Sequence, residues 1–147
     1  MFSKTCAHAI RALLFIAARS RAGLRSSVRD IAIEADAPEP FIAKILQELV
    51  RKQLLQSAKG PKGGFYLDGP SLKHSLAHVV RTIDGDRLFT GCGLGLKQCS
   101  EVHPCPLHHQ FGKIRKEISH MLEQARLDTC AAQLEQELAF LKYTCDT

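Results

Sequence analysis

The chain has 147 residues, 45% hydrophobic and 24% charged, with a formal net charge of +5. This is ordinary globular usage at the length of one domain, or one small domain with an appendage, and it excludes a disordered chain, a collagen-like repeat and a low-complexity array. No apolar run reaches the roughly 18 residues that span a bilayer, so no membrane partner is expected.

The charge is unevenly placed. Residues 1–67 carry +6 and residues 68–147 carry −1, so the front half points to a polyanionic partner. The first segment, residues 1–23, contains a mostly apolar stretch at 9–18. Arg11 interrupts it and Arg19 and Arg21 follow, while Ile10, Leu13, Leu14 and Ala17 keep helical spacing. It reads as a helix rather than an export signal, and the protein as cytoplasmic. Val28, Ile31, Ala32 and Ala35 give a second helix, with Ser27 placed to cap it and Asp30 three residues on. Ile42, Ile45, Leu46 and Leu49 give a third, with Pro40 in its first turn, where the missing N–H costs little.

Leu54 to Ala58 and Phe65 to Leu67 read as short strands around the turn Lys59-Gly60-Pro61-Lys62-Gly63-Gly64, a β-hairpin. Leu72, Leu76, Val79, Val80 and Ile83 predict one further amphipathic helix, stopped near Asp84-Gly85. Residues 91–109 have no clean period and read as a structured loop rich in Gly, Pro, Cys and His. Phe111, Ile114, Ile118, Met121, Leu122 and Ala125 then form an apolar seam on a helix of about five turns. Ala131, Leu134, Leu138 and Leu141 predict a last helical stripe.

Three helices followed by a hairpin is the order of a winged helix-turn-helix. The second helix of such a unit lies in the DNA major groove, led by its N-terminal residues. Here those are Glu39, Pro40, Phe41, Ala43 and Lys44, with Gln47 a turn later. Lys44 and Gln47 offer donors to base edges, and Phe41 either meets a thymine methyl or packs inward. Lys59 and Lys62 sit on the glycine-rich turn, suited to a phosphate or a narrow minor groove. Ser27 and Arg29 open the supporting helix and suit phosphate contacts. The alternative is a plain helical bundle with a solvated basic face. Gly60-Pro61-Lys62-Gly63-Gly64 lacks the Lys-Ser/Thr ending and following helix of a nucleotide-phosphate loop. With no Ser-His-Asp grouping and no paired carboxylates, an enzyme is not expected.

Six cysteines without an export signal argue against a disulfide framework. Cys6, Cys130 and Cys145 fall in helical or terminal contexts and read as small packed or incidental residues. Cys92, Cys99 and Cys105, followed by His108, form C-x6-C-x5-C-x2-H in irregular backbone. Three thiolates and an imidazole are a complete soft ligand set for an iron–sulfur cluster or for zinc. A thiol switch and inert cysteines are the other readings. His108 is preferred over His103 and His109 because it falls on the first turn of a helix starting near Pro106. His74, His78 and His120 read as surface residues, and His8 is a minor ligand candidate.

The chain resembles the winged-helix bacterial repressors that include the iron–sulfur regulator IscR, the nitric-oxide sensor NsrR and the cysteine-metabolism regulator CymR. The resemblance rests on Ala9-Ile10-Arg11-Ala12-Leu13-Leu14, Phe41-Ile42-Ala43-Lys44-Ile45-Leu46, Lys59-Gly60-Pro61-Lys62-Gly63-Gly64-Phe65 and Cys105-Pro106-Leu107-His108, in the family's order over about residues 1–127. It implies a mainly α fold with a small β-hairpin wing, in which a winged helix-turn-helix is followed by a long dimerisation helix. The divisions are then 1–70 for DNA binding, 71–90 for a linking helix, 91–109 for a cluster loop, and 110–147 for the dimerisation and C-terminal helices. It further implies a homodimer on an operator in double-stranded DNA. A 2Fe–2S or 4Fe–4S cluster would be held by Cys92, Cys99, Cys105 and His108, sensing redox, nitric oxide or iron–sulfur status, with zinc the alternative metal. The acidic ligand of the NsrR branch corresponds to Ala7, and the base-discriminating glutamate of IscR to Ala43, so neither function carries over.

Overall fold

Helix α1 (Lys4–Arg21) is the axis of the molecule, and its composition explains why. Small and branched apolar side chains recur on more than one face, so Cys6, Ala9, Ala12, Leu13, Ile16 and Ala17 are all sealed from solvent. A helix that is apolar most of the way round must be covered on several sides. The computed structural model describes residues 1–97, 100–137 and 139–141. In it α1 is covered by α2 (Val28–Ala35), α3 (Glu39–Arg51), β2 (Gly64–Tyr66), α5 (Leu76–Asp84) and α8 (Leu127–Glu135). Ser3 caps α1 by accepting from the Cys6 N–H at 3.0 Å.

The helix-turn-helix follows from its caps. Ser27 accepts from the Asp30 N–H and starts α2. Asp36 ends it at φ 52°, a left-handed conformation that aspartate tolerates. Its N–H and that of Ala37 return to the Ile33 and Ala32 carbonyls. Pro38 and Pro40 then bracket the start of α3, whose Ile42, Ile45, Leu46 and Leu49 are buried against α1 and α2.

The hairpin pairs β1 (Gln56–Ala58) with β2 antiparallel, Ser57 opposite Phe65. Gly63 N–H bonds the Gly60 carbonyl at 2.9 Å, closing a turn with Pro61 at its second position, where its fixed φ is pre-set. Ser26 joins as a third, one-residue strand: its N–H and carbonyl bond the Phe65 carbonyl and N–H at 3.0 and 2.8 Å.

Three expectations change. The helix predicted through Leu72 and Ile83 is two: α4 (Gly69–Leu72) and α5, separated where Ser75 caps α5 by accepting from the His78 N–H. The break lets Leu76 N–H reach the Ala125 carbonyl and Leu127 N–H reach the His74 carbonyl. That pairing is tertiary and carries no periodic signal. A short helix, α6 (Arg87–Thr90), precedes the cysteine loop, and four residues are too few for periodicity to reveal. The seam helix is α7 (His108–Gln124), 17 residues, close to the five turns expected. The final stripe holds only through Ala131 and Leu134 of α8. Leu141 lies beyond that helix and Leu138 outside the described residues. Helix α8 turns back onto α1, where Leu127 and Ala131 are buried and Arg21 donates to the Asp128 carbonyl and pairs with Glu135. Among the described residues no helix is long and apolar enough to cross a membrane.

Candidate nucleic-acid interface and cysteine loop

The face of α3 opposite its buried stripe carries Pro40, Lys44 and Gln47, all exposed. Hydrophobic burial of Ile42, Ile45 and Leu49 on one side leaves these positions on the other, since residues three and four apart share a helix face. Phe41 takes the inward of its two predicted positions. It is half-buried, and its ring meets the buried His8 ring edge-on at 5.3 Å. His8 Nδ1 lies 3.2 Å from the Ala35 carbonyl oxygen and 2.7 Å from Arg11 Nη2. His8 therefore braces α1 against the helix-turn-helix. Ser27 and Arg29 are exposed at the start of α2, and Ser27 already uses its hydroxyl in capping. Lys59 and Lys62 are exposed on the wing turn.

Two arginines that sequence reasoning passed over hold the wing in place. Arg19 donates from Nε to the buried Ser26 hydroxyl at 2.9 Å and from Nη2 to the Arg25 carbonyl at 3.0 Å. Arg25 lies over the Tyr66 ring, 5.0 Å from its centroid, and donates to the Lys62 carbonyl at 3.1 Å. Neither residue belongs to a periodic pattern. The available signal was only the spacing of Arg25 two positions before a helix cap.

The cysteine loop begins at the end of α6. Cys92 is half-buried, and backbone N–H groups converge on its sulfur. Those of Leu96 and Leu94, with smaller help from the Cys105 thiol and the Gly95 N–H, hold the Cys92 thiol below its usual range. Such an arrangement favours a thiolate, the form that binds metal. Cys105 is thus brought beside Cys92. His108 opens α7, its N–H bonded to the Cys105 carbonyl at 3.0 Å and its ring edge-on to His109 at 5.3 Å. Cys99 lies outside the described residues. Among the described residues no three His, Cys, Asp or Glu side chains converge as a preformed metal site.

Gly93 packs closely on α7: a Cβ there would meet the Phe111 ring at 2.5 Å and the ring would have to shift. Arg115 ties α7 to the loop by donating to the Gly91 carbonyl at 3.1 Å. A cleft of about 730 Å³ runs beside the loop, lined among others by Ser3, Asp84, Arg87, Cys92, Phe111 and Ile114. At its edge the Asp84 carboxylate accepts from both the N–H and the hydroxyl of Ser3, at 2.9 and 2.5 Å.

The remaining candidates separate. His74 is half-buried and stacks on His78 with centroids 4.7 Å apart. Burial, then the neighbouring His78, pulls its pKa down, against a smaller opposing effect of Asp68. Cys6 is buried in α1, where burial and then the Asp84 carboxylate push its thiol up to about 12. Cys130 is half-buried and is raised too, by burial and then by Asp128. Cys145 lies outside the described residues.

Residues 2–133 match the family described as Rrf2, iron-dependent transcriptional regulator. The chain is 30% identical over 120 residues to a helix-turn-helix-type transcriptional regulator of Aquifex aeolicus (strain VF5), covering 80% of this chain and 82% of that one. It is 24% identical over 135 residues to the helix-turn-helix-type transcriptional regulator NsrR of Oceanobacillus iheyensis, covering 91% of each. Its fold is similar to that of CymR, the global cysteine regulator of B. subtilis, with a TM-score of 0.71 at 16% identity, over 90% of this chain and 96% of that one.

Proposed function

The chain belongs to the Rrf2 family of helix-turn-helix transcriptional regulators, and from that premise we propose that it is a homodimeric, DNA-binding repressor whose affinity for its operator responds to an iron–sulfur cluster in the cysteine loop. The observation that carries the DNA reading is the common exposure of Lys44, Gln47, Lys59, Lys62 and Arg29 on α2, α3 and the wing. In this reading the exposed face of α3 enters the major groove, with Lys44 and Gln47 donating to base edges. Arg29 and the wing lysines contact phosphates, which position the protein without reading sequence.

The cluster reading is supported by the donor set. The Cys92 thiol is held below its usual range beside Cys105, in a loop whose backbone N–H groups point at its sulfur. Cys92, Cys99, Cys105 and His108 are the residues that would hold the group. A bound iron–sulfur cluster supplies an oxidisable, nitric-oxide-reactive centre. The chain's own residues carry its state outward. Asp84 couples the loop side of α5 to Ser3 at one end of α1. At the other end Arg19 holds Ser26 and the Arg25 carbonyl, and Ser20 accepts from the Leu67 N–H. Eighteen helical residues make a rod of about 27 Å between the two ends. In a dimer whose recognition helices must sit about 34–36 Å apart, a small rotation of that rod moves each wing off its phosphates.

The test is iron, sulfide and zinc content with a visible spectrum on protein purified without oxygen, then DNA binding before and after air or nitric oxide. Iron and sulfide in equal amounts, lost in Cys92→Ala and Cys105→Ala together with the response of DNA binding, are expected. Zinc without iron would replace the cluster with a zinc-stabilised loop, and binding that ignores both cysteines would remove the sensing function.

A further inference from the structure

The wing tip projects from a hairpin of three residue pairs, and two-stranded ribbons of that length are at best marginal alone. Lys59, Gly60, Pro61 and Lys62 are all exposed, so packing does not fix the tip. The turn's own hydrogen bond uses the Gly60 carbonyl and leaves that of Lys62 to another donor. Arg25 is that donor. Its guanidinium lies between the Tyr66 ring and the Lys62 carbonyl. Its backbone is anchored on both sides, through its own carbonyl to Arg19 and through Ser26, buried and paired in both directions with Phe65.

We propose that Arg25 is the positioning residue of the wing: its guanidinium clamps the Lys62 carbonyl and thereby fixes where the Lys62 ammonium meets nucleic acid. The proposal rests on the DNA-binding reading for its consequence, but the clamp belongs to the free protein. The guanidinium serves both contacts at once, its carbon over the Tyr66 ring and its Nη1 N–H on the Lys62 carbonyl. A lysine at position 25 keeps the charge and loses the fork and the stack. A rival role, in which Arg25 is one more phosphate contact, needs only the charge. Arg25→Lys therefore separates the two.

The first measurement is tryptic nicking of the free wing. The Lys62 carbonyl is also the scissile carbonyl of the Lys62–Gly63 bond, so its release from Arg25 exposes that bond to protease. In Arg25→Lys, cleavage at Lys62–Gly63 is expected to rise by roughly tenfold, the loss of one charge-assisted hydrogen bond, while cleavage at Lys59–Gly60 rises less. Tyr66→Leu, which removes only the stack, is expected to show a smaller increase of the same kind. Unchanged nicking in both variants, at unchanged Tm, overturns the clamp whatever the protein does on DNA.

The second measurement is the salt dependence of binding to a duplex selected from a random pool by the wild-type protein. Arg25→Lys and Lys62→Ala are each expected to weaken binding and to lower the salt slope by about one. The double variant is expected to match either single one, because both remove the same contact. Full binding by Arg25→Lys, or losses that multiply in the double variant, overturns the positioning role. Accelerated nicking in a protein that binds no duplex would uphold the clamp and remove the DNA reading instead.

Discussion

At the scale of single residues, two cysteines of one chain are driven in opposite directions by their surroundings. Cys92 faces backbone N–H groups, whereas Cys6 is buried and has the Asp84 carboxylate nearby. In cluster-free protein, brief alkylation at pH 7.5 is expected to label Cys92 ahead of Cys6, with Cys6 labelled only after unfolding; peptide mass spectrometry reads this directly. The raised Cys6 pKa also has a stability consequence. An unfolded thiol ionises near 9, whereas the folded one keeps its proton to about 12. The unfolded chain therefore binds fewer protons between these values. The stabilisation is complete below pH 9 and is lost as pH rises towards 12, by at most about 1.4 kcal/mol per pH unit. Urea midpoints at pH 7.5, 9 and 10.5 should show the gap between wild type and Cys6→Ala closing above pH 9; a constant gap would mean that the site does not resist ionisation. The ligand candidates Cys92, Cys105 and His108 could be named from residue type and spacing. The burial of His8 and its contacts with Phe41 and Arg11 could not, because a histidine carries no mark of which helices will close over it.

At the scale of elements, the helix-turn-helix and wing were legible because each is built by local rules: a serine cap, a left-handed aspartate, proline at a helix start, glycine at a turn. The wing also depends on a close approach that no local rule announces. Gly64 has φ of 138°, and a Cβ there would lie 2.8 Å from the Ser26 carbonyl oxygen. Gly64→Ala is therefore strained in its backbone and separates the wing from the strand residue that anchors it. It should weaken duplex binding by about tenfold or more while lowering stability by roughly 1–3 kcal/mol, measured as Kd and urea midpoint on the same preparation. On α3, Lys44→Ala should relax preference at one base pair, by roughly 1–3 kcal/mol, with little change in non-specific affinity. A uniform loss across sequences would assign Lys44 to a phosphate instead. The predicted α5 was too long for a related reason: Leu72 and Leu76 share an apolar stripe, but Ser75 is a better cap than a helix interior residue, and the chain breaks there.

At the scale of the whole molecule, α7 leaves apolar side chains uncovered within one chain. Ile114 is 50% exposed and Met121 53% exposed, on the helix that also buries Leu122 and packs Ile118 against the core. In the proposed dimer this seam is the contact between copies. Ile114→Glu should shift the protein from dimer to monomer by sedimentation and, by separating the two recognition helices, should reduce operator affinity far more than non-specific affinity. An unchanged dimer would move the interface off α7. The fold-back of α8 onto α1, with Leu127 and Ala131 buried, links the C-terminal region to the helix that carries the wing. That contact joins residues more than a hundred positions apart, beyond the reach of any window used to read periodicity.

The sequence by itself determined the order of elements, the basic front half, the exposed polar face of α3 and the close spacing of Cys92, Cys99 and Cys105 along the chain. These depend on side-chain chemistry and on spacings of a few residues, which the chain displays directly. Only the tertiary structure decided that Phe41 turns inward, that Arg19 and Arg25 hold the wing, that Asp84 fastens the loop side of α5 to α1, and that α8 returns to that same helix. Each of these is a contact between segments distant in sequence, set by which apolar faces cover one another, and the polar partners are whatever side chains those faces bring together.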